Sequence, residues 1–267
     1  MTTSRGSGST TRRLRRGIAF AGTLAALALG LAACVTLTPP PDPAGPAAGD
    51  PLAGWEKVLR TRVLDDGRID FAGLRRDPQD LDAYVAWVAT HGPRTTPEGF
   101  PTEAARLAYY INTYNALAMY QVVKTSRRPE QRVRFFALTA IVIDGRRTSL
   151  YRLENSVIRP LGEPRAHFAL NCMVRACPRL PREPFDPARL DPQLEREARY
   201  FLNEPRNVQV DPPLRLVRLN SILSFYREDF LAKAPSLVAY VNRYREEPIP
   251  EAYSVSFIPY DWTLHQR

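Results

Sequence analysis

The sequence predicts an α+β fold: a single, mainly helical domain carrying a small, mostly antiparallel sheet. Three observations point there. Amphipathic stretches of helical period are longer and more numerous than strand-like runs. The strand-like runs are short and fall among the helices in mixed order. The span 51–267 holds no second linker and no repeat, and that length normally makes one domain with a sizeable core.

In chain order, Trp55 to Arg62 has a short helical pattern, and Asp66-Gly67 marks a tight turn between Val63-Leu64 and Ile69 to Phe71. Leu81 to Val88 is again helical. The best helix is Glu103 to Lys124, whose residues Leu107, Ile111, Asn115, Ala118 and Val122 fall on one stripe. Asn115 interrupts an otherwise apolar row. Ile141 to Ile143 before Asp144-Gly145 reads as a buried strand and turn, Ser149 to Ile158 as a short helix, and Ala166 to Leu170 as a strand. Ala188 to Leu202 is amphipathic and ends near Pro205. Val208 to Val210 and Leu214 to Leu219 form a hairpin around Pro212-Pro213. Ser221 caps a helix through Phe230, another runs from Ser236 to Tyr244, and Val255 to Ile258 is a last strand.

The N-terminal end has a different character. Arg5, Arg12, Arg13, Arg15 and Arg16 precede an apolar run from Gly17 to Ala33, which stops at Leu31-Ala32-Ala33-Cys34. A basic region, an apolar core and small residues before cysteine read as an export signal over 1–33 with Cys34 as the lipidated first residue of the mature chain. The span 34–50, rich in Pro, Ala and Gly, then serves as a tether, since it lacks apolar bulk to bury. The expected place is the periplasmic face of a bacterial membrane, inner or outer. The net charge of +9 falls to +4 once the five leader arginines are set aside, and the remaining arginines are interspersed with acids. A dedicated nucleic-acid surface is therefore not expected.

With Cys34 acylated, Cys172 and Cys177 are left, and an even pair in an oxidising compartment is expected to form a disulfide. A thiol nucleophile or a redox pair are the alternatives, though four intervening residues do not make a thioredoxin-type motif. His167 stands five positions before Cys172. On an extended strand that is about 16 Å with the side chains on opposite faces, so a Cys/His pair needs a sharp backward fold after Leu170. Asn112 and Asn115, three apart on the long helix, either tie loop backbone to the helix or line a small polar cleft. Glu154 either pairs with Arg152 or Arg159 at the surface or enters the same cleft. No metal centre and no cofactor is expected.

Tyr110 to Leu117, Ser149-Leu150 with Leu153-Glu154, His167 to Cys172, Ala176 to Pro178, Phe201 to Asn203, Tyr226 to Phe230 and the closing Pro259 to Trp262 together resemble the Domain of Unknown Function 547 family, in the same order. The resemblance implies no established activity. Family members carry His after the glutamate aligned with Glu154, where this chain has Asn155, and Gly or Ala with Ser where it has Met173 and Val174. A distant likeness to papain or transglutaminase-type cysteine hydrolases rests on fold analogy alone, since the start of the long helix offers Asn112 and no cysteine.

Two functions follow as expectations. In the first, the domain is an uncharacterised envelope module offering a polar cleft around Asn112, Asn115, Glu154, His167 and Asn171 to a small molecule, peptide or glycan. In the second it is a hydrolase or transferase of envelope polymers, with His167 as base and Cys172 as nucleophile. A permanent Cys172–Cys177 bond excludes the second in its simple form.

Overall fold

The computed structural model describes residues 1–2, 35–37, 50–125 and 127–267. Cys34, most of the span 1–33 read as an export signal and most of the span 34–50 read as a tether lie outside the described residues. The span Cys34–Arg267 is one compact unit.

Two residues read as tether form a strand. Val35–Thr36 (β1) runs parallel to Thr139–Ile143 (β2) with Val35 opposite Thr139 and Thr36 opposite Ala140. The open edge of β2 accounts for the pairing. Next come α1 (Pro51–Arg62), α2 (Phe71–Arg76), α3 (Gln79–Thr90) and α4 (Glu103–Lys124). The Asp50 carboxylate caps α1 at Leu52 N, and the Thr102 hydroxyl caps α4 at Ala105 N. Helix α4 is buried on nearly every side, which its apolar stripe alone does not foretell; it is the central helix, with α2 and α3 packed on it.

β2 turns back into β3 (Arg146–Thr148) through Asp144 and Gly145, both at positive φ, the pair of conformations that a two-residue hairpin needs. α5 (Leu150–Leu153) is continued by a wide turn, Glu154–Ile158. After α6 (Leu190–Asn203), β4 (Val208–Asp211) and β5 (Leu216–Asn220) make the expected hairpin. α7 (Ile222–Phe225), α8 (Arg227–Leu231) and α9 (Leu237–Asn242) then carry the chain across to β6 (Ser254–Ile258).

Three local expectations change. Ala166 to Leu170 is not a strand; Pro164–Phe168 is a 3-10 helix, begun by Pro164 and capped by the Glu163 carboxylate on Arg165 N at 3.0 Å. A short, mostly apolar run cannot distinguish a strand from any other buried segment. The helix from Ser221 breaks at Tyr226 into α7 and α8, and the Ser221 hydroxyl donates to Ile258 O instead of capping. The pairing is also less antiparallel than expected, because each three-stranded sheet has one antiparallel and one parallel pair. β6 lies parallel to β5 because the long helical crossover brings it back in the same direction.

The core has two parts. One gathers Trp55, Leu59, Ile111 and Met119 around α1 to α4; the other gathers Phe168, Phe201, Leu219 and Phe230 between α6, β5 and α8. The 3-10 segment that carries His167 ends on Phe168 in the second part, while Ala169 and Leu170 belong to the first.

Candidate functional site

The three asparagines act first as clamps on backbone. Asn112 accepts from Phe185 N at 3.0 Å and donates to Phe185 O at 2.8 Å, and Trp55 Nε1 shares its oxygen. Asn115 donates to Ala169 O at 2.9 Å and accepts from Asn171 N at 2.7 Å. Asn171 in turn accepts from Met173 N and donates to Pro178 O. All three are buried and none lines the cavity that takes in Glu154 and His167, so Asn112, Asn115 and Asn171 are not walls of that cleft. A buried amide within reach of free peptide groups is best satisfied by them.

The clamped loop holds a Cys172–Cys177 disulfide with Cα atoms 6.0 Å apart. Its sulfurs face the Tyr260 hydroxyl, at 3.3 Å from Cys172 Sγ and 3.4 Å from Cys177 Sγ. The bond removes the thiolate that a nucleophilic Cys172 requires. Replacing both cysteines with Ser is expected to lower stability by about 2 kcal/mol, from the entropy of so short a loop. Urea unfolding of the two proteins checks it, and equal midpoints would refute it.

Glu154, His167 and Cys172 do come together, around a cavity of about 540 Å³. Rings of Tyr114, Phe136, Tyr226, Tyr260 and Trp262 make much of its wall, with Tyr151 and Phe225 exposed at its border. His167 is buried. Its Nε2 lies 2.8 Å from Asp229 Oδ2, and its ring stacks on Tyr226 with centroids 3.9 Å apart. Its Nδ1 is buried without a partner among the described residues. Asp229 also receives a fork from Arg159, Nε at 2.7 Å and Nη2 at 2.9 Å. The bonds from His167 and Arg159 hold the Asp229 carboxyl well below the usual carboxylate range. Arg159 Nη1 donates to Asn155 Oδ1 at 2.8 Å, so Asn155 steadies the guanidinium.

Glu154 is the opposite case. Burial pushes its carboxyl above the usual range, and hydrogen bonds from Tyr226 and Tyr114 and the nearby His167 only partly oppose this. Tyr114 OH donates to Glu154 Oε2 at 3.3 Å. Burial also raises the Tyr114, Tyr226 and Tyr260 phenols, which therefore stay neutral donors at ordinary pH. Two carboxyls near one histidine are thus driven apart, Asp229 toward the charged form and Glu154 toward the neutral one.

Sequence reasoning missed Asp229, Arg159 and the aromatic wall. Asp229 follows Glu228 on a short polar helix and has no local mark; only its place in the Tyr226 to Phe230 motif could have flagged it. A larger groove of about 860 Å³ elsewhere is lined by Arg60, Arg179, Arg182, Arg196 and Arg206. Each of those guanidiniums is already in an ion pair. Among the described residues no three His, Cys, Asp or Glu side chains are grouped to hold a metal ion, and no helix is long and apolar enough to cross a membrane.

These features define a class: an α+β domain with a disulfide-braced, aromatic-walled cleft around an Asp-His-Arg cluster and a buried carboxyl. Residues 99–202 match the family model described as protein of unknown function, DUF547. The match takes in Glu154, His167 and both cysteines, whereas Tyr226, Asp229 and Tyr260 lie beyond it. No curated protein and no solved structure matches the chain.

Proposed function

We propose that this is a ligand-binding domain whose cleft takes a hydroxylated ring compound of the glycan class, and that lipid on Cys34 holds it at the periplasmic face of a bacterial membrane. One observation carries the ligand reading: aromatic walls enclose a buried carboxyl held above its usual range and a histidine nitrogen with no partner among the described residues. Aromatic faces pack on the apolar face of a sugar ring, while a few convergent polar groups fix its hydroxyls. In its protonated form, which burial favours, Glu154 would donate to a ligand oxygen, and His167 Nδ1 would accept from a hydroxyl, satisfying a buried atom.

Calorimetric titration with N-acetylglucosamine oligomers and wall disaccharides tests the reading. Glu154→Gln keeps a donor and is expected to bind within a few-fold of the native protein, whereas Glu154→Ala should weaken binding roughly tenfold. Affinity should fall as pH rises through the raised Glu154 value, because ionisation removes the donor. If no sugar binds, or if Glu154→Ala binds as well as the native chain, the glycan cleft is wrong.

The second reading, a hydrolase or transferase of envelope polymers, is favoured by the Asp229 bond to His167, the arrangement of an oriented base. It needs Cys172 reduced. Turnover of wall polymers that requires a reductant and disappears in Cys172→Ser would establish it in place of the first.

A further inference from the structure

From residue 127 to 147 the chain carries arginines at 127, 128, 132, 134, 146 and 147 against two acids, Glu130 and Asp144. Both acids are committed elsewhere. Glu130 accepts from Leu264 N, and buried Asp144 accepts from the backbone of Arg94 and Thr95. None of the six arginines makes an ion pair among the described residues. Arg132, Arg134, Arg146 and Arg147 are exposed, and Val133 between the first two is an apolar side chain 66% exposed.

The place where the N-terminal chain joins the fold gives this cluster its meaning. β1 lies on one edge of β2 and the arginines of β3 on the other, with Arg147 opposite Val142. Val35 is the register partner of Thr139. The Thr139 hydroxyl receives Arg127 Nη1 at 2.9 Å and donates to Arg134 O at 2.7 Å. The residue directly after Cys34 is therefore built into the strand that the arginines surround. Cα atoms of neighbouring residues are about 3.8 Å apart, so a lipid on Cys34 would leave the domain with almost no slack. The span 38–49 follows β1 in the chain and so does not separate the lipid from this face.

We propose that the arginine-rich face around β2 and β3 docks on the anionic headgroups of the membrane that holds Cys34. The proposal rests on the reading of Cys34 as lipidated. Unpaired guanidiniums beside the attachment point are drawn to an anionic surface, and an exposed valine among them suits the headgroup boundary. Arg132, Val133 and Phe136 also border the cleft, so docking turns the cleft mouth toward the headgroup layer.

The test uses the full chain isolated from membranes, its lipid content read by intact mass, then reconstituted into vesicles of phosphatidylcholine alone or with phosphatidylglycerol. Hydrogen exchange over 131–137 and 144–148 is expected to slow about fivefold or more on the anionic vesicles, each arginine contributing roughly that factor to the docked population. High salt should abolish the slowing, as should the triple change Arg134→Glu, Arg146→Glu and Arg147→Glu, with exchange in α4 unchanged. Were the triple variant to lose α4 protection, the salt series on the native chain decides. Equal exchange on both vesicle types in a lipid-bearing chain, or slowing that survives salt, overturns the docking alone. An unmodified Cys34 overturns the anchor and the docking with it.

Discussion

Asn115→Leu is expected to destabilise the domain by about 4 kcal/mol, a loss read as a lower urea midpoint at unchanged slope. Its amide serves two peptide groups at once, Ala169 O and Asn171 N, at 2.9 and 2.7 Å in fully buried surroundings. Leucine fills similar space and satisfies neither, and each orphaned buried group costs about 1–3 kcal/mol. The damage reaches the cleft too, because Asn115 fixes the chain between His167 and Cys172 relative to the central helix. The result also separates two roles. A cleft residue would lose ligand affinity and keep its stability, so a change under about 1 kcal/mol would remove the clamp reading.

Asn115 also shows what the sequence can and cannot reveal. Helical periodicity delimits α4 as Glu103 to Lys124, the bounds the structure has, because a long amphipathic stretch repeats its signal many times. The same period exposes Asn115 as an amide in an apolar row and so demands partners for it. It cannot supply them, since Ala169 and Asn171 are more than fifty residues away. The Cys172–Cys177 bond is present as expected from the even cysteine count left once Cys34 is read as lipidated and the chain as exported, an expectation that needs no geometry. The run from Ala166 to Leu170 shows the limit: its mostly apolar residues report burial, and Pro164 with the Glu163 cap decides the conformation. For Glu154 the sequence leaves open a surface pair with Arg152 or Arg159 and a place in the cleft. In the structure Glu154 meets Tyr114 and Arg159 meets Asp229, since the wide turn after α5 redirects both.

Asp229→Ala is expected to cost about 3 kcal/mol at neutral pH and to change the shape of the stability profile. The carboxylate accepts three charge-assisted bonds, two from Arg159 and one from His167, and the pair is about three-quarters shielded, with side-chain exposures of 26% and 23%. Removing it leaves a partly buried guanidinium unpaired and frees His167 Nε2, a penalty that resembles breaking a buried pair more than a surface one. The sign of the pH effect follows from the direction of the shift. Asp229 is held ionised well below the usual range, so its contribution is present above the unfolded carboxylate value, about 3.9, and is lost as pH falls through the folded value. Glu154 is shifted upward, so its contribution is present below about 4.3 and is lost as pH rises through its folded value. The native protein should therefore lose stability on acidification through Asp229, and Asp229→Ala should flatten that acid limb while leaving the Glu154 limb in place. Asp229→Asn, which keeps an acceptor for Arg159 and loses the charge, should fall between the two. Chemical denaturation of all three proteins across the acid range checks this. An acid limb as steep in Asp229→Ala as in the native chain would mean that some other carboxylate carries it and that the Asp229–His167–Arg159 cluster does not brace the cleft.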